Sequence, residues 1–174
     1  MSKLYAYLLA LIVLLLGCGG GGGGGAAVVT TPAQKTATVE FATTTTNTGV
    51  VLKAVYIVVR LPAGVTVATK PGTTEISDVV LKGVNSAQLQ SSSYIAADNE
   101  VRIPVITSTI ISGFPVGVFA RLTCDVAPGK TMTESQFSSL TPVVFQATGA
   151  NGVDLTDPVN SNPPVAPKIS ATFN

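Results

Sequence analysis

The sequence predicts an all-β fold, an antiparallel sandwich of two sheets with about nine strands. Three observations lead there. From Lys35 onward the chain is rich in Val, Thr and Ile, whose branched Cβ atoms suit a pleated sheet. Apolar and polar residues alternate with period two over several segments, as in half-buried antiparallel strands. Gly, Pro, Asn, Asp and Ser separate these segments at short intervals, as turns require. Composition narrows the function. The chain has 174 residues, 46% of them apolar and only 11% charged. It contains no His, which excludes a His general base, a His metal ligand and a Ser-His-Asp triad. It contains no Trp, the strongest aromatic platform for stacking. Lys3 is one of ten Lys and Arg residues, so the chain beyond it carries nine cations against nine Asp and Glu. That balance offers no basic stripe for phosphates, and no nucleic-acid partner is expected.

Taken in order, the first element is a leader over residues 1–17. Lys3 supplies a positive charge and Leu8 to Leu16 an apolar run. A spanning helix needs about 20 apolar residues, so this run fits a secretory signal instead. Leu15-Leu16-Gly17-Cys18 resembles the bacterial lipobox, in which signal peptidase cuts between Gly17 and Cys18 and the Cys18 thiol carries diacylglycerol. The resemblance implies a lipoprotein of the cell envelope, held to a membrane by its acyl chains. Gly19 follows the lipid-bearing Cys where an Asp would retain a Gram-negative lipoprotein at the inner membrane, so an outer-membrane address is implied. Residues 18–34 form the lipidated Cys and its linker. Gly19 to Gly25 is an unbroken glycine run with no side chains to pack. The stretch from Gly19 to Lys35 reaches roughly 55 Å fully extended, enough to hold a domain clear of lipid headgroups.

Residues 35–174 are expected to form the folded domain. Strands are read at Thr36 to Ala42, Val50 to Leu61, Val65 to Ala68, Glu75 to Leu81, Ala87 to Gln90, Glu100 to Ile106, Gly117 to Val126, Pro142 to Thr148 and Lys168 to Phe173. The alternation is clearest in Val118, Ala120, Leu122, Cys124 and Val126, opposed by Arg121, Thr123 and Asp125. Val50 to Leu61 is apolar on both faces around Val55 to Val59, which marks a central strand or one covered on its second face. Thr133-Glu134-Ser135-Gln136 fits a capping box opening a short helix, with Phe137 and Leu140 turned to the core. Pro62-Ala63-Gly64, Asp98-Asn99 and Asn151-Gly152 supply tight reversals.

Three segments resemble the cohesin domain and the wider group of cellulose-binding-module-like sandwiches. They are Val51 to Val65 with its Leu61-Pro62-Ala63-Gly64 bend, Val101 to Ile106 followed by Gly113-Phe114-Pro115-Val116-Gly117, and Val118 to Val126. A helical turn and a late strand follow in the family's order. The resemblance implies a nine-stranded jelly roll acting as a non-catalytic interaction module on a protein partner, dockerin-like in kind. Tyr56-Ile57 stands where the family often has a Tyr-Asp pair, and no binding residue is carried over. The alternative is a carbohydrate-binding module for cell-surface polysaccharide.

Few residues are candidates for chemistry. Cys124, on the apolar face of its strand, reads as a small core residue, and with Cys18 acylated no disulfide can form. The neighbouring carboxylates Asp98 and Glu100, Glu75 and Asp78, and Asp154 and Asp157 read as turn and strand-end residues and not as a glycosidase pair. No cofactor is expected. Asn151, Asp154 and Asp157 form the densest oxygen-rich loop, where calcium would find ligands, but the 12-residue calcium pattern with its terminal Glu is missing. Tyr94, Ile111 and Phe114 are the candidate binding surface. Tyr94 follows a serine run, and the other two lie in an apolar loop from Ile110 to Pro115. A protein binder should show one contiguous apolar face, a sugar binder a row of exposed rings, and a hydrolase two carboxylates across a cleft.

Overall fold

A computed structural model describes residues 35–107, 113–149 and 152–174. These residues are mostly β, in antiparallel sheets that do not close into a barrel. The first strand of the described residues is β1 (Lys35–Thr44). It lies between β10 (Val118–Val126) and β12 (Ala166–Phe173). β4 (Val65–Thr66) and β5 (Leu81–Gly83) pair with the far side of β10 and complete the first sheet. In the second sheet β3 (Ala54–Arg60) lies between β11 (Val144–Thr148) and β8 (Glu100–Thr107). β6 (Ala87–Leu89) and β7 (Ser93–Ile95) both pair with β8. A two-stranded ribbon joins β2 (Val51–Leu52) to β9 (Phe114–Pro115). A single short helix, α1 (Glu134–Ser138), is present among the described residues and packs on β12.

The register explains the core. Ala37, Val39 and Phe41 face Cys124, Leu122 and Ala120 on one side, and Phe173, Ala171 and Ile169 on the other. In the second sheet Val55, Ile57 and Val59 face Val105, Ile103 and Val101. Nearly all of these residues are buried, and both sheets feed one cluster. Alternation therefore sends one face of each strand inward, as the period-two pattern requires. At Phe41/Ala42 the β1–β10 register shifts, which lets Phe119 also turn inward and become fully buried.

The structure departs from the sequence reading in several places. Val50 to Leu61 is not one strand. It breaks at Lys53, whose backbone donates to the Thr148 carbonyl and accepts from Thr107, so β2 swings away to meet β9. Its second part, β3, is internal to its sheet as expected. Glu75 to Leu81 is not a strand either. Glu75 and Ile76 make isolated bridges to Ser93 and Thr69, and the chain then turns, with Val80 and Leu81 both donating to the Ser77 carbonyl. The short strands β7 and β9 fall outside the segments read from sequence, and the described residues carry twelve strands in all. The helix begins where its capping box predicts, with the Thr133 N–H donating to Gln136 Oε1 at 2.8 Å.

The Asp98-Asn99 reversal does more than turn the chain. Asn99 sits at φ 51°, the left-handed region that Asn tolerates best after Gly. Its amide donates to the carbonyls of Leu61 (2.9 Å) and Pro62 (3.0 Å), and its Oδ1 accepts from the Tyr94 hydroxyl at 2.8 Å. One side chain thus ties the end of β3 to β7 and fixes the start of β8.

Candidate functional site

The sequence-derived candidates do not converge. Gly17, Cys18, Ile111 and Asn151 lie outside the described residues. Tyr94 and Phe114 are corrected as binding residues: Tyr94 is 7% exposed and Phe114 1%, so neither offers surface to a partner. Tyr94 is drawn in because it pairs with Val101 on β8 and delivers its hydroxyl to Asn99. Phe114 pairs with Leu52, also fully buried, in the β2–β9 ribbon. Asp154 accepts from the Thr156 hydroxyl (2.7 Å) and amide (2.9 Å), which hold its carboxyl below the usual range. Asp157 accepts from the Val159 amide at 2.9 Å. Each is engaged in its own local turn. Among the described residues no three His, Cys, Asp or Glu side chains gather as a metal group. Glu75 pairs with Lys70, and Glu100 with Arg60 and Arg102.

Cys124 is free and buried on the inward face of β10. Loss of solvent, with a smaller contribution from Asp125, pushes its thiol up to about 12 from an ordinary 9.0. The thiol stays protonated in the fold but ionises in the unfolded chain above pH 9. Its contribution to stability is therefore complete below pH 9 and falls by about 1.4 kcal/mol per pH unit above it. Denaturant midpoints between pH 8 and 10.5 should fall more steeply for the wild type than for Cys124→Ala. Parallel slopes would show that the thiol is solvated.

What the registers do bring together is a pair of contrasting outer faces. Across the first sheet the outward rows read Thr172, Thr38, Thr123 and then Ser170, Glu40, Arg121, Lys82. A third row sets Thr36 beside Asp125 and Thr66. Every residue of these rows is a hydroxyl or a charge, the next row sets Ala42 and Val118 beside Lys168, and Arg121 Nε meets Glu40 Oε1 at 2.7 Å. This is an ordinary solvated face.

The second sheet's outward rows are different. They read Arg60, Glu100, Ile95, then Val144, Val58, Arg102, Ser93, then Gln146, Tyr56, Pro104, then Thr148, Ala54, Ile106, Gln88. Val144 and Ile106 are 36% and 42% exposed, and Val143 beside them 53%. Tyr56 is half-buried in the middle row and is the one aromatic on the outward rows of either sheet. Charge enters only at one end, where Arg60 and Arg102 flank Glu100. Val58 is 4% exposed, so the apolar surface of this face is made by Val144 at one end, Ile106 at the other, and the half-buried Tyr56, Pro104 and Ala54 between them. Sequence reasoning missed these residues as a site, although the two-faced apolar run through Val55 to Val59 was its signal.

Depressions among the described residues lie elsewhere, three of them as follows. The first, about 310 Å³, is lined by Glu75, Asp78, Leu89 and Ser92, and the second, about 380 Å³, by Asn47, Val51 and Phe114. The third, about 270 Å³, lies beside Glu40 and Lys168. Neither Glu75 nor Glu40 stands there as a free acid, since Lys70 and Arg121 bind them. No family model, curated protein or solved structure matches the chain.

Proposed function

We propose that this chain is a lipid-anchored, non-catalytic interaction module of the cell envelope, a cohesin-like jelly-roll sandwich that binds a protein partner. The Cys18 lipid would hold it to a membrane, most simply the outer one. One observation supports the choice of a protein partner: the outer face of the β11-β3-β8-β6 sheet is the more apolar of the two, with its charges confined to the Arg60, Glu100 and Arg102 end, while the other outer face is mostly polar. Polysaccharide recognition favours several exposed rings, and these rows hold only Tyr56.

The test uses the full-length protein in membranes solubilised with a mild detergent. Ile106 and Val144 are partly exposed, so Ile106→Asp with Val144→Asp should change stability little. Two charges buried against an apolar partner should abolish the complex. The wild type is expected to migrate on a native gel in an assembly larger than the double variant. Identical migration would refute the reading.

A further inference from the structure

The apolar face has a charged end whose construction specifies the partner further, and the argument rests on the docking reading above. Arg60 and Glu100 are directly opposite across β3 and β8, and Arg102 follows two residues along β8 on the same face. The Glu100 side chain is only 7% exposed, while those of Arg60 and Arg102 are 64% and 46% exposed. Arg102 Nε donates to Glu100 Oε1 at 2.8 Å, and Arg60 Nε lies 3.7 Å from Oε2. Both contacts run through Nε. Among the described residues, no hydrogen bond uses a terminal guanidinium nitrogen of either arginine. The buried carboxylate therefore acts from beneath, and the outward halves of two guanidinium forks remain for a ligand. Tyr56, diagonal to Arg102 across the β3–β8 ladder, acts on the Arg102 charge, as does Asp98 in the preceding turn. Glu100 itself is covered, and Glu75, bridged to Ser93 beside Arg102, is paired with Lys70.

We infer that the partner is a polypeptide that sets a carboxylate of Asp or Glu on the Arg60–Arg102 forks while its apolar side chains cover Pro104, Ile106 and Val144. Planar guanidinium groups suit a carboxylate by paired N–H···O bonds. The hydrogen bond through Nε orients the Arg102 fork before the partner arrives, which lowers the ordering cost of binding, while Arg60 is drawn to the same carboxylate by charge alone. The apolar rows then give affinity, and the forks give register and discrimination against partners that lack the acid.

The test places a photo-crosslinking amino acid at Gln146, on this face, and separately at Thr123, on the polar face, of the full-length protein in its own envelope. The expected result is a crosslink from Gln146 alone, to a polypeptide whose crosslinked segment carries Asp or Glu beside apolar residues. Arg60→Glu should lower its yield at least tenfold, Arg60→Lys should lower it less, and raising NaCl from 50 to 500 mM should lower the wild-type yield. Arg60 is the more exposed partner, and Arg102 still neutralises Glu100 in that variant; if the variant nonetheless unfolds, the salt series on the wild type decides. A Gln146 crosslink that ignores both charge reversal and salt overturns the carboxylate clamp but leaves the docking face standing. A crosslink to a second copy of this chain, to glycan, or only from Thr123 overturns the docking face as well.

Discussion

Phe137→Ala is expected to destabilise the domain by about 3–5 kcal/mol, the usual cost of deleting a fully buried phenyl ring. Phe137 is 0% exposed and is the one buried residue of α1. Its ring meets Phe173 edge to face, with centroids 5.7 Å apart and planes at 61°, so its removal also breaks an aromatic pair. A five-residue helix has no stability of its own; packing holds it in place. The Gln136 cap on Thr133 cannot substitute for that packing, because an exposed cap contributes only about 1 kcal/mol. Against a total of about 5–15 kcal/mol, the loss is large. Thermal unfolding followed by circular dichroism should shift down by roughly 10 °C or more. Phe173→Ala should cost less, because Phe173 is only partly buried, and Phe137→Leu less again. Equal effects from all three substitutions would show that α1 is not held by this ring.

The difference between what the sequence revealed and what it hid follows the distance over which each feature is determined. Ala120 to Val126 was legible because its alternation is local and its burial one-sided, whereas Val118, read as inward, is turned out by the register shift that buries Phe119. The Pro62-Ala63-Gly64 turn was legible for the same reason: Gly64 takes φ +92°, and Val65 donates to the Pro62 carbonyl. Glu75 to Leu81 was misread because Ile76, Val79 and Val80 have strand composition. Their fate depends on Ser77 as a turn acceptor, and Val79 ends 80% exposed. Tyr94 looked like surface because it follows three serines, but its burial depends on Val101 and Asn99, which only the fold brings to it. The docking face is the extreme case. Its ingredients, Tyr56 and Val58, were visible as the second apolar side of one strand. That they line up with Val144, Gln146, Pro104 and Ile106 follows from two registers with distant strands, and no local pattern encodes those. The pairing of Arg60 with Glu100 is likewise fixed by register alone.

Cys18→Ser is expected to abolish acylation outright. A serine hydroxyl in place of the thiol cannot form the thioether to diacylglycerol, and without that modification the cut before residue 18 does not follow. The consequence for anchoring is a matter of chain number. Each buried methylene contributes about 0.8 kcal/mol, and a single acyl chain binds only marginally, so two or three chains convert transient contact into a permanent hold. The nine-residue run Leu8 to Leu16 that the variant would retain is well short of the roughly 20 apolar residues a span requires. Cells fed labelled palmitate should therefore label the wild type and not the variant. The N-terminal peptide of the wild type should begin at an acylated Cys18 followed by the glycine run, and that of the variant should retain residues ahead of position 18. In detergent phase separation the wild type should enter the detergent phase and the variant should shift to the aqueous one. The domain must be unaffected for this to test the anchor alone, so both proteins should unfold at the same temperature. A wild-type peptide with a bare Cys18 would remove the membrane from the proposed function. It would leave the apolar sheet face, which owes nothing to the anchor, as the only ground for an interaction role.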